Sequence, residues 1–254
     1  DKSWYMGTAD AIFQNVHLIE DFCPDLVAVF GGDHIYRMDI SQMVDFHINH
    51  NAIATVAAIP VPIEDARQFG IIEVDEDWRI VGFQEKPENP TPLPNDKNMA
   101  LASMGNYIFG AQDIVSLLKA DHADASSSHD FGKNIIPSLV PSGRLYAYNF
   151  YQNKIPGQKV QEKPYWRDVG TLKAFFEANM DLRATTPHLD LYNTKWPIYN
   201  YHFSLPPAKF VHNEEVDVHG LPRIGKAINS IVCDGCIVSG STVTNSILFN
   251  SVFV

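Results

Sequence analysis

The chain has 254 residues, of which 45% are hydrophobic and 19% charged, a composition typical of a folded protein with one or two domains. Its 30 acidic and 19 basic side chains leave a formal net charge of −11, which argues against a nucleic-acid binder, because phosphate backbones favour excess Lys and Arg. No apolar run approaches the roughly 18 residues of a membrane span. Three cysteines cannot all pair, which favours a reduced, cytoplasmic protein.

Helix and strand patterns alternate from residue 1 to about 185, which predicts an α/β layered domain. Thr8 is expected to cap the first helix. The all-apolar run 26–30 predicts a strand covered on both faces. A helix is predicted at 41–49, a buried strand at 52–59, and a hairpin at 70–74 and 79–83 with an acidic turn. The apolar stripe of the first helix is Ile12, Val16, Ile19 and Cys23.

Two polar segments, 87–98 and 121–129, are predicted to be solvated surface loops, and a lid is the alternative function for each. Residues 172–182 are predicted to form a helix. From residue 187 on, prolines punctuate an aromatic-rich stretch that suggests a crossing between domains.

A six-residue apolar period follows the crossing, which indicates the start of a left-handed parallel β-helix in which three hexapeptides complete one coil. We therefore expect a catalytic domain at 1–186, a crossing segment at 187–223 and the beginning of the β-helix at 224–254. Such a short repeat cannot bury its own apolar face, so the chain is expected to be cut from a longer one. The apolar positions of the period are Ile231, Ile237, Val243 and Phe249.

Asp33 follows the first predicted strand, directly after two glycines, where open α/β sheets place their ligands. A carboxylate there could hold Mg²⁺, which prefers oxygen ligands and remains partly bound by phosphates. Ordinary turn chemistry is the alternative. Asp168 lies where a loop enters a helix, so capping is its structural alternative. Their long separation in the chain does not show whether the two carboxylates meet.

Glu85 and Lys86 end the second hairpin strand with a carboxylate and an ammonium side by side. Because adjacent strand residues point to opposite faces, one could accept hydrogen bonds from sugar hydroxyls while the other meets a phosphate. An edge strand with surface charges is the alternative. The histidines give no ligand constellation, and Cys233 and Cys236 are expected to flank a turn of the coil rather than form a redox pair.

Several short motifs occur in an order that resembles the sugar-1-phosphate nucleotidyltransferases, over essentially the whole chain. The ordered set is far more specific than any one of its members. The motifs lie at residues 4–11, 32–36, 69–70, 85–87, 103–107, 128–133, 165–171 and 205–210.

The resemblance implies a Rossmann-like, GT-A-like mixed-sheet domain. It also implies Mg²⁺ as cofactor, held by Asp33 and Asp168, with Lys86 on the sugar phosphate and Glu85 on the glucose hydroxyls. Further sugar-pocket residues would be Gly70, Ser103 and Asp130. The segment near the nucleotide would be Tyr5, Gly7, Thr8 and Asp10. Asp10 could equally be a first-turn carboxylate favoured by the helix dipole. Trp4 and Tyr5 are expected to pack in the core, and a place in the nucleotide and regulatory surroundings is their alternative.

Among members of that family, the motifs are most similar to those that use ATP and glucose 1-phosphate and make ADP-glucose for glycogen synthesis. A homotetramer under allosteric control is then expected, with no nucleic-acid or membrane partner. The glycine-rich phosphate loop of the family is absent from this sequence, so the fragment alone is expected to be inactive or nearly so. The alternatives are a relative with another nucleotide or sugar, a non-catalytic regulatory subunit, and a hexapeptide-repeat acyltransferase.

Overall fold

The computed structural model describes residues 4–158, 164–201, 203–216 and 222–254. The chain forms two compact units, one of residues 1–32 with Met38–Lys154 and the other of Asp33–Arg37 with Ile155–Val254. Residues 202 and 217–221 of the predicted crossing segment lie outside the described residues. No helix in the described ranges is long and apolar enough to cross a membrane.

The helices and strands follow one another in the predicted alternation up to residue 181, and the elements after it, within the described residues, are strands. The α-helices are α1 (Thr8–Phe13), α2 (Val16–Phe22), α3 (Ile40–Asn49), α4 (Ala111–Ala123), α5 (Ile136–Leu139) and α6 (Leu172–Asp181). The first eight strands are β1 (Leu26–Phe30), β2 (His34–Tyr36), β3 (Ala54–Pro62), β4 (Gly70–Val74), β5 (Ile80–Glu85), β6 (Met99–Gly110), β7 (Leu145–Asn149) and β8 (Trp166–Asp168). The later strands are β9 (Lys209–Val216), β10 (Pro222–Ile224), β11 (Lys226–Ile228), β12 (Ile231–Val232), β13 (Ile237–Ser239), β14 (Thr242–Thr244) and β15 (Ile247–Leu248).

The first unit is built on a mixed sheet, as predicted. Its described strands run in the order β5-β4-β6-β3-β7, and β1 also pairs with β6. Among the described strands of this sheet, β3 and β7 are the one parallel pair, and β6 is antiparallel to β1, β3 and β4. Strand β3 is buried along most of its length, which confirms the predicted buried strand. The core lies between this sheet and α4, α5 and the π-helix Phe131–Ile135.

The prediction that β1 is covered on both faces is wrong. None of its five residues is fully buried, and Ala28 is exposed. Strand β1 pairs with β6 on one side, and within the described residues it has no second neighbour. Composition therefore predicted the strand correctly, but not its place at the edge of the sheet.

The expected first helix is two helices, because the chain turns at residues 14–15 between α1 and α2. Asn15 has non-helical backbone angles, and its side-chain amide donates to the Ala11 carbonyl. Asparagine competes with helical hydrogen bonds in this way. The cap is also different from the prediction, since Gly7 holds the N-cap position and Thr8 is the first helical residue.

The predicted hairpin is confirmed: β4 and β5 pair antiparallel, and the Asp75 carboxylate accepts the amide hydrogens of Asp77 and Arg79 in the turn. Residues 87–98 have no helix or strand beyond one isolated bridge, which confirms the first loop. The loop predicted at 121–129 is only partly right, because its first three residues belong to α4 and Asp121 and His129 are largely buried.

The second unit contains a parallel coil of short strands, as the six-residue period predicted. Strands β11 and β14 pair in parallel, as do β12 and β15, and in both pairs the partners are 16 positions apart. The expectation of 18 residues per coil is therefore wrong here. Ile231 pairs with Ile247 rather than aligning with Phe249, whose side chain is 64% exposed.

The corners of this coil are stacked residues with a left-handed backbone. Asn229 and Asn245, also 16 positions apart, both have positive φ angles of 48° and 52°. Asparagine tolerates this region better than most residues. The Asn229 side-chain amide donates to the Asn245 Oδ1 at 2.6 Å, so one corner is tied to the next along the coil.

Candidate active site

Two predicted carboxylates come together in the second unit. Strands β2 and β8 pair antiparallel, with His34 opposite Asp168, and Asp33 directly precedes β2. A methyl group built on Gly170 would lie 3.2 Å from Asp33 Oδ2 and 3.1 Å from Asp168 Oδ1. Both carboxylates therefore face the same small space beside Gly170, a juxtaposition that chain spacing alone could not predict.

Backbone and side-chain contacts hold this carboxylate pair in place. The Asp168 Oδ1 accepts the Gly170 amide hydrogen at 2.7 Å, and the Asp33 main-chain carbonyl accepts the Val169 amide hydrogen. The His34 Nε2 lies 3.5 Å from the Asp33 Oδ1. Asp168 ends a strand and Thr171 caps α6 instead, so the helix-capping alternative for Asp168 is wrong.

This pair fits a partly coordinated divalent cation. Its donors are carboxylate oxygens, the ligands that Mg²⁺ prefers, and the Asp33 side chain is 62% exposed and so accessible to a ligand. No group of three or more Asp, Glu, His or Cys side chains suited to a metal occurs among the described residues. The remaining ligands of such an ion would have to come from phosphate groups or water.

A second group of predicted residues surrounds Glu85 in the first unit. Gly70 lies opposite Glu85 in the β4–β5 ladder, and a methyl group there would lie 3.0 Å from the Glu85 Oε2. A methyl group on Gly132 would overlap the same oxygen and would lie 3.4 Å from the Asp130 Oδ1. The Glu85 and Asp130 carboxylates are thus neighbours, with two glycines leaving room for them.

The electrostatics of Glu85 follow from its surroundings. Burial raises the pKa of its carboxyl group above the ordinary value, the Lys86 charge lowers it, and the Asp130 charge raises it. Two carboxylates and a nearby ammonium suit a ligand that carries both hydroxyl groups and an anionic group.

The prediction that Glu85 and Lys86 point to opposite faces is wrong. Lys86 has a left-handed backbone with φ of 46°, which ends the strand alternation. Its Nζ lies 3.8 Å from the Glu85 Oε1 and the side chain is largely exposed, so both side chains lie on the same side of the strand end. The Lys86 amide hydrogen bonds to the Phe69 carbonyl, which fixes this turn next to Gly70.

Ser103 is buried on β6 and hydrogen-bonds Tyr107, a residue that the sequence prediction did not assign. The pKa of Tyr107 is raised to about 12, chiefly by burial and also by the charges of Glu85 and Asp130, while the Ser103 hydrogen bond lowers it. Tyr107 therefore belongs to the group around Glu85. The signal in the sequence was its place at the end of the quoted 103–107 motif.

Thr8, predicted near a nucleotide, and Asp130, predicted near a sugar, are hydrogen-bonded to each other. The Thr8 Oγ1 donates to the Asp130 Oδ2 at 3.0 Å and accepts the Phe131 amide hydrogen at 3.0 Å. Gly7 lies so close to the 128–131 loop that a methyl group there would be 2.5 Å from the Ser128 carbonyl oxygen. The 128–131 loop is therefore hydrogen-bonded to the start of α1 and packed tightly against it.

Asp10 and the two N-terminal aromatic residues are less clearly placed for ligand binding. The Asp10 carboxylate is buried and accepts hydrogen bonds from the Met6 amide and the Gln14 side-chain amide. The bond from Met6 is the main cause of its lowered pKa. This favours the first-turn alternative for Asp10. The expectation that Trp4 and Tyr5 pack in the core is wrong, because their exposures are 90% and 49%.

Comparison with known proteins agrees with both parts of the fold. The nucleotidyl transferase family profile matches residues 1–185, and a GlmU-like, C-terminal hexapeptide profile matches residues 206–254. The chain is 52% identical over 252 residues to a glucose-1-phosphate adenylyltransferase of Thermus thermophilus, covering 99% of this chain and 59% of the relative.

Similar proteins with that same name occur in other bacteria. The relative from Anaeromyxobacter dehalogenans is 50% identical, covering 96% of this chain and 59% of its own length. The relative from Vibrio cholerae is 48% identical, covering 97% of this chain and 59% of its own length. The chain thus spans somewhat more than half the length of these curated relatives, and it belongs to the nucleotidyl transferase family.

Proposed function

We propose that the protein to which this chain belongs transfers the adenylyl group of ATP to α-D-glucose 1-phosphate, giving ADP-glucose and pyrophosphate. Relatives of that name match nearly the whole chain at about half identity. The observation that carries the proposal is the pair of carboxylates, Asp33 and Asp168, facing one space beside Gly170.

The reaction needs no nucleophile from the protein. A phosphate oxygen of glucose 1-phosphate forms a bond to the α-phosphorus of ATP, and the bond from that phosphorus to the bridging oxygen breaks to release pyrophosphate. The attacking phosphate is already ionised at neutral pH, so no general base is required. The protein contributes alignment and charge neutralisation.

Asp33 and Asp168 would hold Mg²⁺, and their oxygen donors and open space fit this ion. When bound, Mg²⁺ neutralises charge that develops on the phosphates of the nucleotide. Gly170 leaves room beside both carboxylates, and its amide fixes the Asp168 oxygen.

Glu85 and Asp130 would accept hydrogen bonds from the glucose hydroxyls, and the exposed Lys86 ammonium would bind the glucose phosphate. Ser103 and Gly70 complete this group, since one is buried on β6 and the other leaves space for the Glu85 carboxylate.

Tyr5, Gly7, Thr8 and Asp10 are proposed to form the segment near the nucleotide. Tyr5 is half exposed and so is accessible for stacking on a base, whereas Asp10 supports the turn at Met6. We further propose residues 1–186 as the catalytic domain, 187–223 as the crossing segment and 224–254 as the coil. Assembly into a cytoplasmic homotetramer through that coil is also part of the proposal, and sedimentation of the intact enzyme tests it.

The test is a coupled pyrophosphate-release assay on the intact enzyme with glucose 1-phosphate and Mg²⁺, in which ATP, GTP, UTP and dTTP are compared. We expect ATP to be used at least tenfold better than the others. Preference for another nucleotide would show that the protein belongs to a branch of the family with a different nucleotide specificity. No release with any nucleotide, together with activation of an added catalytic partner subunit, would show that it is a regulatory subunit.

A further inference from the structure

A buried Asp–His pair lies behind the residues assigned so far. The His129 Nδ1 lies 2.8 Å from the Asp121 Oδ2, and the two side chains are only 9% and 10% exposed. The second Asp121 oxygen accepts the Ser127 hydroxyl at 2.6 Å, and the same hydroxyl accepts the His129 amide hydrogen. Asp121 on α4 thus fixes both the side chain and the backbone of His129.

The backbone of His129 carries this constraint to α1. His129 has a left-handed backbone, with φ of 52°, which a non-glycine residue adopts only when its surroundings hold it there. Its carbonyl accepts the amide hydrogens of Ala9 and Asp10, two of the donors that a helix N-terminus leaves unpaired. A methyl group on Gly7 would lie 2.7 Å from the His129 carbonyl carbon, so no side chain can separate the two segments.

The next residue carries the constraint to the group around Glu85. Asp130 accepts the Thr8 hydroxyl through one oxygen and the Lys133 amide hydrogen through the other. The second oxygen also lies beside Gly132, where it faces the Glu85 carboxylate. These two bonds hold the Asp130 side chain, and its backbone follows directly on the left-handed turn at His129.

We infer that Asp121 and His129 are positioning residues that hold Asp130 toward the sugar and Gly7–Thr8 toward the nucleotide in a single arrangement. This inference rests on the proposed function for the identity of the substrates. The link between α4, the 127–130 loop and α1 rests on contacts alone. Neither residue is expected to touch a substrate.

A second buried histidine in the same unit provides a matched control. The His47 Nδ1 lies 2.8 Å from the Thr55 Oγ1, and both residues are buried between α3 and β3. Its bond has the same length as that of His129, but it joins His47 to Thr55, which is not one of the assigned residues. Thr55→Val should lower the melting temperature and leave the KM for glucose 1-phosphate unchanged.

The experiment compares Asp121→Ala, Asp121→Asn and Thr55→Val in the intact enzyme. Amide hydrogen exchange is measured on peptides that cover residues 7–13 and 127–134, and initial rates are measured against glucose 1-phosphate. Asp121→Ala should speed exchange at Ala9 and Asp10 and raise this KM about tenfold, with a smaller change in kcat. Asp121→Asn keeps one of the two oxygen acceptors, for either Ser127 or His129, and should restore part of both effects. If Asp121→Ala does not fold, the same two measurements on Asp121→Asn test the inference.

Exchange at Ala9 and Asp10 that is unchanged in Asp121→Ala would overturn the inference, whatever the enzyme catalyses. Faster exchange with an unchanged KM would show that the pair is only structural and would also overturn it. If the unmodified enzyme makes no ADP-glucose but exchange rises in Asp121→Ala, the proposed function fails while the link from α4 to α1 stands.

Discussion

Gly132→Ala is a sharp test of the sugar-binding group because it displaces one carboxylate without removing any polar group. The added methyl would overlap the Glu85 Oε2 and lie 3.0 Å from the carboxyl carbon. The obstacle is the end of a flexible side chain, so the Glu85 carboxylate should yield by about 1 Å while the backbone stays in place. The substitution thus separates the position of Glu85 from its charge.

The expected effect on binding is larger than the effect on stability. A hydrogen bond to a charged group contributes about 1.5–3 kcal/mol, so misplacing the Glu85 acceptor should raise the KM for glucose 1-phosphate roughly 10- to 100-fold. Gly132 lies in the π-helix, and its φ is not positive. Replacing glycine by alanine at such a site gains about 0.4–1 kcal/mol through the unfolded state, which offsets the local crowding.

Initial-rate kinetics against glucose 1-phosphate and against ATP, together with thermal unfolding, check this prediction. Gly82→Ala is the matched control, since its methyl would lie 3.1 Å from the carboxylate of Glu73, which is outside the proposed site. We expect Gly82→Ala to leave both KM values unchanged. An unchanged KM for glucose 1-phosphate in Gly132→Ala, with normal folding, would refute the assignment of Glu85 to the sugar.

Three further predictions address the charged groups. Asp33→Asn should lower turnover at saturating Mg²⁺ by about a hundredfold or more, and near-normal turnover would count against its metal role. Lys86→Ala should raise the KM for glucose 1-phosphate about tenfold with less change in kcat, as measured by initial rates; an unchanged KM would exclude the phosphate contact. Burial raises the pKa of Glu85, so the folded protein loses stability as pH rises through that raised pKa. Glu85→Gln should therefore melt higher than the unmodified protein at neutral pH but not below pH 4.5, and parallel pH profiles would contradict this.

Local patterns predicted most of the elements correctly. Alternation and apolar runs identified the strands at 26–30 and 70–74, and polarity identified the loop at 87–98. Local patterns failed where long-range contacts decide the outcome. Strand β1 is half exposed because its neighbours are set by the topology of the sheet, and Thr8 bonds to Asp130 instead of capping its helix.

The candidate site was likewise predicted in part. Motif order selected Asp33, Glu85, Lys86 and Asp168, and the pairing of β2 with β8 brings the two aspartates beside Gly170. Spacing could not predict this pairing, because the two strands are far apart in the chain. Nor could it predict the left-handed turn at Lys86, since strand alternation assumes a regular backbone.

The coil shows a third kind of failure, in which the repeat was recognised but its length was not. A six-residue apolar period suggests 18 residues per coil, whereas the observed register is 16. The asparagine corners at 229 and 245 carry the true spacing, and they are more informative than the apolar positions because their left-handed backbone fixes where each coil turns.

During synthesis of the chain, the carboxylate pair can form only after both β2 and β8 have been made. Asp33 leaves a ribosome well before Asp168, and at roughly 5–20 residues per second the delay is on the order of ten seconds. The three residue pairs of the β2–β8 ladder, together with the bond from the Val169 amide to the Asp33 carbonyl, hold these two segments against each other. A brief opening of those few bonds would separate the two aspartates while the large sheet remained intact, so if the pair binds a cation as proposed, that binding should be lost before global unfolding on heating.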